Sequence, residues 1–450
     1  MSTIRFFASI SLLWVGALLA QDTSPAAWQQ EWVDASSRYP LDPHAPLDDY
    51  VRYAQLYNPD IETALWRWKA ALDEVVPARS WADPKLTMGH FLRSVETRVG
   101  SQQQRLSVAQ TIPGWGELDL RVQTAWAGAE VEQWRYRDRR AQLVVEVIDA
   151  YLDCYYLERA IAVTEGHMQL VAYLEEVVRS RYRAGDDLHG SLIRVQVELG
   201  RLEDRIRSLR DQRQPATATL NALLGRSSAA VIEVENIEVE APIDASVDSL
   251  RAQLVRSHPH LLMLRAAAEQ ARYAIALAEK EGDPDLTLGV DYVRTEARPE
   301  AGPDSGSDPL VVMATLSVPI WRDKYRAKVQ AATARHQAAR AALLAAETSL
   351  LAQLDQALFQ WRESERRAGL YGEDLLTKAE QAFSVTQQSF AAGRSSFFEL
   401  IDTGRTLLEL QLAQIEARVG SRRQRARIER LIGLHLPNRS TLIGAFRREK

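Results

Sequence analysis

The sequence predicts a mainly α-helical protein that also carries a membrane-type β part of four strands, with one structural unit present twice. Three observations carry this prediction: a collinear internal duplication, short segments in which apolar residues alternate, and very long helical patterns without proline. Strict alternation of apolar and polar residues indicates a strand, whereas apolar spacings of three and four indicate a helix.

The duplication shows as matching segments at a nearly constant offset. "DPKLTMG" at 83–89 matches "DPDLTLG" at 283–289, and Asn58-Pro59 matches His258-Pro259. Further along, "RAGDDLHGSLI" in the first half matches "AAGRSSFFELI" in the second, and "NALLGR" matches "ERLIGL". Because the order is kept and the offset drifts only by loop-sized insertions, we interpret the chain as a tandem repeat of one unit.

The repeat sets the expected domain organisation. At the N-terminus, Arg5 precedes an apolar run that ends in small residues, which is typical of a signal peptide and predicts export. Gln21 follows the expected cleavage site where a lipidated protein would have cysteine, so no lipid anchor is expected. The predicted segments are a signal peptide (1–20), an extended segment (21–46), a first unit (47–230), a connector (231–247) that we expect to be rich in strand, a second unit (248–434) and a C-terminal tail (435–450).

Each unit begins with a helical pattern that leads into a pair of alternating segments. In the second unit, Leu286, Leu288, Val290 and Tyr292 alternate with small or polar residues. Segments of about ten residues match the length of a transmembrane β-strand. The predicted elements are first helices at 47–76 and 247–280, strand hairpins at about 85–113 and 285–319, and polar hairpin loops at 94–104 and 295–309.

A much longer helical pattern follows each hairpin. Residues 115–182 and 321–390 contain no proline, and a helix of that length would extend roughly 100 Å. Such a helix cannot be buried in a compact domain, so it indicates an antiparallel, coiled-coil-like array or tube. Each long helix is expected to end at a glycine turn, at about 183–190 and 391–396, before a shorter return helix.

Four strands leave two open sheet edges, which lipid does not tolerate. Closure by oligomerisation removes the edges, and three chains would supply twelve strands, an even number within the range of outer-membrane barrels. The same threefold symmetry would close the long helices into a tube. The sequence therefore predicts a trimeric β-barrel continued by an α-helical barrel.

Composition and motifs argue against several other classes of protein. The net charge of -5 and the pI near 6.0 disfavour a nucleic-acid partner. The sequence has no glycine-rich phosphate loop, nucleophile elbow or zinc-type spacing, so we expect no catalysis, cofactor or metal centre. The single Cys154 is expected to be a small buried apolar residue, and His258-Pro-His260 is interpreted as a helix start.

The duplicated order of helix, hairpin, long helix, glycine turn and return helix resembles the TolC family of outer-membrane efflux channels, over about 47–434. The Asn-Pro-Asp-Ile start at 58–61 and the strand "LSVAQTIP" before a long helix are most similar to the branch that serves metal-ion exporters. The resemblance implies a homotrimer in outer-membrane lipid with its helices in the periplasm. It also implies a passive exit duct for small molecules or metal ions, with a periplasmic adaptor and an inner-membrane pump as partners.

The resemblance further implies that both glycine turns lie at the periplasmic end, where the pore closes and the adaptor makes contact. Glu399 and Asp402 fall on the family's constricting acids when the turn glycines are aligned. We hypothesise that Arg194, at the first turn, pairs with Asp402 across neighbouring hairpins. Alternatively, Ser396 and Glu399 form a capping box, and Glu399 serves only its own helix. The turn residues expected at the adaptor contact are Gly185, Asp186, Asp187, Gly393, Arg394 and Ser395.

The sequence is also compatible with two alternative functions. A duct for type I protein secretion would have the same architecture. An exported periplasmic coiled-coil adaptor or structural protein would explain the long helices, but not four alternating segments joined by polar loops.

Overall fold

The computed structural model describes residues 40–185, 189–234, 245–298 and 302–433. The predicted signal peptide and C-terminal tail, most of the extended segment and the connector, and both Asp186 and Asp187 lie outside these residues. The helices are α1 (Leu47–Tyr57), α2 (Pro59–Asp73), α3 (Val75–Arg79), α4 (Glu117–Arg183), α5 (His189–Leu223), α6 (Val247–Ser257), α7 (Pro259–Lys280), α8 (Arg322–Gly369), α9 (Leu376–Ala391) and α10 (Phe397–Leu431). The strands are β1 (Lys85–Thr97), β2 (Gly100–Ile112), β3 (Leu286–Ala297) and β4 (Leu310–Leu316).

The predicted fold class is confirmed: the described residues are mostly helical and include four antiparallel strands. The strands form one sheet in the order β1-β2-β3-β4, so each unit contributes one hairpin. The central pairing of β2 with β3 joins the two units, with Val108 opposite Val290 and Leu106 opposite Tyr292. β1 and β4 are the two edge strands of this sheet within the single chain.

The two faces of the sheet differ in polarity, because side chains alternate along each strand. On one face, apolar side chains from all four strands stand exposed in rows. The opposite face carries hydroxyl and charged groups, including an ion pair between Arg105 and Asp291 and a hydroxyl contact of 2.9 Å between Thr111 and Thr287. Two of the apolar rows, read across the sheet, are Leu86–Val108–Val290–Val312 and Met88–Leu106–Tyr292–Leu310.

The prediction of a long polar loop at 94–104 is wrong. β1 continues to Thr97 and β2 begins at Gly100, so a two-residue turn joins them. The ladder is made by backbone groups, which pair regardless of side-chain polarity. Pairing of Ser101 with Glu296 continues the ladder into β3. Polar side chains therefore mark exposure here and not the end of a strand.

The single first helix expected in each unit is also wrong, since each is broken before a proline. Asn58 and His258 have extended backbones and cap the helix that follows, at Pro59 and Pro259. The Asn58 side chain accepts the backbone N–H groups of Asp60 and Ile61 at 2.9 and 3.2 Å. The break follows because proline has no N–H to donate and disfavours helical backbone in the residue before it.

α4 is the longest helix and organises the helical region. Its 67 residues extend roughly 100 Å, as predicted. α5 packs chiefly against α4, α4 packs against α10, and α8 and α9 pack against α10. The helices thus form a layered array whose outer members are α5 at one side and α8 with α9 at the other. Cys154 is buried within α4 as expected, and burial raises the pKa of its thiol to about 11.

The second long helix is interrupted, in contrast to the continuous helix predicted at 321–390. Residues Leu370–Leu375 form a π-helical turn between α8 and α9. Gly372 lies in this turn against α10, where a Cβ atom would stand 2.5 Å from Nε2 of Gln414. The extra residue in the turn shifts the helix face that packs on α10. Within the described ranges, none of the helices combines the length and apolar character required to cross a bilayer.

We expect the junction at His258 to lose stability in acid. His258 is 1% exposed; its Nδ1 accepts the backbone N–H of His260 at 3.1 Å, and its Nε2 is buried with no hydrogen-bond partner. Burial, followed by the charges of Arg430 and His260, lowers its pKa to about 4. The unfolded imidazole titrates near 6.5, so the stabilisation is complete above that pH and is lost as the pH falls through 6.5 towards 4. The loss should reach about 3 kcal/mol.

His258→Asn places at this junction the residue that the first unit uses at Asn58, and it should remove this acid sensitivity. The thermal unfolding midpoint of the helices, followed by circular dichroism in detergent at pH 7 and pH 4.5, measures the effect. His90→Asn, at an exposed strand position, is the matched control and should keep the wild-type profile. If the unfolding midpoint falls equally between pH 7 and pH 4.5 in the wild type and in His258→Asn, His258 is not the source of the acid sensitivity.

Candidate functional site

The two glycine turns lie at one end of the helical array, where α4 turns into α5 and α9 turns into α10. Gly185 and Gly393 have φ angles of 103° and 71°, which favour glycine because it has no Cβ atom. At the second turn, Gly393 N–H donates to Phe390 O at 3.0 Å, and Arg394 N–H donates to Ser389 O at 2.8 Å. These bonds satisfy carbonyl groups that the helix end leaves free.

Arg181 of the first unit holds the helix end of the second unit. Its guanidinium donates to the backbone carbonyls of Phe390 at 3.2 Å and Ala391 at 2.9 Å. The same group lies 5.1 Å from the centre of the Phe390 ring. A cation at a helix C-terminus also complements the helix dipole. The two turns are therefore fixed to one another within a single chain.

Glu399 takes part in a capping box at the start of α10. Ser396 Oγ accepts the Glu399 backbone N–H at 3.2 Å, and Glu399 Oε2 accepts the Ser396 N–H at 3.1 Å. The Ser395 hydroxyl donates to the same carboxylate oxygen at 2.7 Å. These donors, the Ser395 hydroxyl first, hold the pKa of Glu399 below its usual range. Of its two proposed roles, the structure shows the cap.

An apolar cluster lies directly behind the turns. Phe390 and Phe397, on either side of the second turn, are both buried, and their ring centres are 5.7 Å apart. Leu400 and Val178 are fully buried in the same cluster. Burial of several large side chains from four helices makes the tip a packed structure and not a loose loop.

A half-buried ion pair crosses between the units behind this cluster. Arg405 of α10 contacts the carboxylate of Glu198 on α5, and Glu198 is 5% exposed. His167 of α4 is buried beside them, and burial, only partly offset by the charge of Glu198, lowers its pKa. Arg405 and Glu198 thus connect the two helices that begin at the two turns, and separating the helices would break this ion pair.

Arg194 and Asp402 both lie at the tip but do not form an ion pair within one chain. The Arg194 guanidinium lies 5.6 Å from the centre of the Phe398 ring, a cation–π contact between α5 and α10. Asp402 is exposed, and its charge acts on Arg405. An open groove between α5 and α10 is lined by Ile193, Arg194, Val197, Arg201, Phe397, Phe398, Ile401 and Arg405.

Local sequence reasoning located the turns but missed the contacts that hold them. Arg181, Glu198 and Arg405 were not singled out, because their partners lie roughly 200 residues away in the chain. The sequence does contain one signal for a packed tip. Phe390 and Phe397 are large apolar residues on either side of the second glycine turn, and the structure buries both. Arg394 and Ser395 lie in the described second turn, as expected, whereas Asp186 and Asp187 are outside the described residues.

Comparisons with known proteins agree with this architecture. The family described as "Outer membrane efflux protein" matches the chain twice, at residues 51–226 and 250–434. The cobalt-zinc-cadmium resistance protein CzcC of Cupriavidus metallidurans is 22% identical over 339 residues, covering 75% of this chain and 79% of CzcC. The pyoverdine export outer membrane protein OpmQ of Pseudomonas putida is 21% identical over 433 residues, covering 88% of this chain and 90% of OpmQ.

A solved structure shares the fold. The outer membrane protein VceC of Vibrio cholerae superimposes with a TM-score of 0.73 at 18% identity, covering 86% of this chain and 96% of VceC. The two-unit arrangement of long helices and a sheet is therefore an established architecture.

Proposed function

This chain belongs to the outer membrane efflux protein family, and on that premise we propose that it is the passive exit duct of a tripartite efflux system. The family resemblance inferred from the sequence is confirmed, as is the outer-membrane location that it implied. The family and the fold are those of channels, and we propose that the chain itself catalyses no reaction. Energy for export would then come from an inner-membrane pump joined to the duct by a periplasmic adaptor.

The duct proposal rests on one observation. Within a single chain, the sheet and the helical array each end in two unpartnered edges. β1 and β4 end the sheet, while α5 and the pair α8–α9 end the helical array. Unpaired strand edges beside an exposed apolar sheet face would be costly in lipid. Three copies related by a threefold axis would pair β4 of one chain with β1 of the next, and would close the helices in the same way.

The transported substrate is proposed at the level of chemical class. CzcC is named for cobalt, zinc and cadmium resistance and OpmQ for pyoverdine export, so its relatives serve both metal ions and small molecules. We propose the same range for this chain. The alternative is a duct for type I protein secretion. Export measured in a strain that lacks the chain separates the two functions. Loss of metal-ion or small-molecule export would support the efflux duct, and loss of protein secretion would support the alternative.

We propose that Asp402 and Arg194 form the gate at the periplasmic tip, while Glu399 holds the turn. The capping box occupies the Glu399 carboxylate, which leaves Asp402 as the exposed acid on the first turns of α10. Within one chain Arg194 rests on Phe398, and in the trimer it would lie at the contact between hairpins. The adaptor contact is proposed at the turn residues Gly185, Asp186, Asp187, Gly393, Arg394 and Ser395.

Membrane fractionation followed by sizing in mild detergent tests the proposed assembly. The duct proposal expects an outer-membrane species of three times the 50.6 kDa chain mass, less any removed signal peptide, which collapses to the monomer on boiling. Closed barrels resist detergent because every strand is paired. A soluble periplasmic monomer or dimer would instead support the exported coiled-coil adaptor or structural protein.

A further inference from the structure

A histidine lies in the buried seam by which α4 packs against the other helices near the tip. Six buried residues in this part of α4 are spaced alternately by four and three, which places them on one face of the helix. They are Ala160, Thr164, His167, Val171, Leu174 and Val178. His167 is 7% exposed and is the one ionisable side chain among these six. Because a buried imidazole costs desolvation that an aliphatic side chain would not, packing alone does not account for it.

A glycine on α10 makes room for the His167 ring. Gly404 is buried in α10 on the same face as Ile401 and Leu408. A Cβ atom at Gly404 would lie 3.2 Å from Cε1 of His167 and 3.3 Å from Cε2 of Phe383 on α9. Such distances are shorter than ordinary contacts between carbon atoms. The ring is therefore enclosed where α4, α9 and α10 meet, and it has little room for the water that a charged imidazole needs.

Two charged groups from other helices act on His167. They are Glu198 of α5 and Arg405 of α10, which pair with one another. Asp402 and Glu409 of α10 act in turn on Arg405, while α9 brings only a phenylalanine ring to the histidine. Burial lowers the pKa of His167, the Glu198 carboxylate partly offsets this, and Arg405 adds to it. A proton on His167 would place a second cation beside a carboxylate that already pairs with Arg405.

We propose that His167 is a pH sensor of the helix tips: its protonation drives α4 and α10 apart and weakens the ion pair that joins α5 to α10. The inference rests on the proposed gated duct and adds the proton as a ligand that favours the open state. Opening gives the imidazole water and an ordinary pKa near 6.5, so the closed tip binds the proton more weakly than the open one. The stabilisation of the closed tip is complete above pH 6.5 and is lost as the pH falls below it.

Two readouts of the full-length protein at pH 7.5 and pH 5.5 test the sensor. Amide hydrogen exchange, expressed as protection factors, reports on the first turns of α5 and α10, and single-channel recording in planar bilayers reports on opening. A His258→Asn background removes the other histidine that is buried in the described structure. In this parent, protection of the first turns should fall several-fold at pH 5.5, with a limit of about tenfold per chain, because a solvated imidazole is then about ten parts protonated to one. The open fraction should rise over the same range.

His167→Gln and His167→Leu in the same background are neutral at both pH values, so protection and open fraction should stay constant. His189→Gln removes an exposed histidine at the start of α5 and should keep the response of the parent. The sensor is overturned if both His167 variants lose protection in acid as the parent does, or if His189→Gln abolishes the response. Acid loosening that depends on His167 in trimers that pass no current would support the sensor and count against the duct. Conducting channels with the same pH response with and without His167 would refute the sensor alone.

Discussion

Replacing Arg405 with alanine should loosen the helix tips, because it leaves the Glu198 carboxylate buried without a cation. Their ion pair joins α5 to α10 directly behind the two turns. The Arg405 side chain is 38% exposed, so its removal should cost more than the ~1 kcal/mol of a surface pair and less than the ~3–5 kcal/mol of a fully buried one. Since about 1.4 kcal/mol is a factor of ten, amide hydrogen exchange in the first turns of α5 and α10 should accelerate by about 10-fold or more.

Two further variants distinguish the effect of an unpaired, buried carboxylate from a non-specific loss of stability. Arg367→Ala removes an exposed arginine that pairs with Glu363 on α8, while Arg366 still pairs with the same carboxylate, and a surface pair of that kind contributes only about 0.2–1 kcal/mol. Exchange at the tips should therefore stay at the wild-type rate. The double variant Glu198→Leu with Arg405→Leu removes both charges and should recover most of the protection. Wild-type exchange at the tips of Arg405→Ala would contradict the proposed connection.

Reversing the charge of Arg194 or Asp402 should shift the channel towards its open state. In the proposed trimer each reversal places like charges opposite each other at three symmetry-related contacts. An exposed ion pair contributes about 0.2–1 kcal/mol, so three pairs would change the closed-to-open ratio by up to roughly 100-fold. Single-channel conductance in planar bilayers measures this, and the effect should shrink at high salt because ions screen exposed charges.

The combination of Arg194→Asp with Asp402→Arg restores opposite charges and should return the conductance towards the wild-type value. Arg207→Glu is the matched control, because it changes the charge by the same amount at an exposed position of α5 outside the groove. It should leave gating unchanged. If neither single reversal alters the conductance, or if the double reversal conducts more than both, Arg194 and Asp402 do not form the gate.

The fold class could be predicted because its determinants are local and periodic. Alternation in Leu286–Tyr292 identifies an apolar strand face without any knowledge of its partners. The absence of proline from 115–182 likewise predicts a helix that α4 confirms. The duplication doubled this information, since a pattern that was faint in one unit was clearer in the other. Glycine at 185 and 393 located the turns for the same local reason.

The site was harder to predict because its contacts join distant parts of the chain. Arg181 donates to carbonyl groups of Phe390 and Ala391, and no local pattern specifies a backbone acceptor in the other unit. Glu198 resembles any other acid on a charged helix until packing buries it. The loop predicted at 94–104 was wrong because a local pattern was given too much weight. The side chains there are polar, but the backbone ladder between β1 and β2 continues.

Single-channel recording of the purified chain in planar bilayers, wild type beside a variant carrying both Arg405→Ala and Arg194→Glu, tests the duct most directly. We predict a small conductance for the wild type and large, stepwise conductance for the variant, both from a species of trimer mass. Membrane-inserted trimers that pass no current in either form would contradict the proposal that this chain is a gated exit duct.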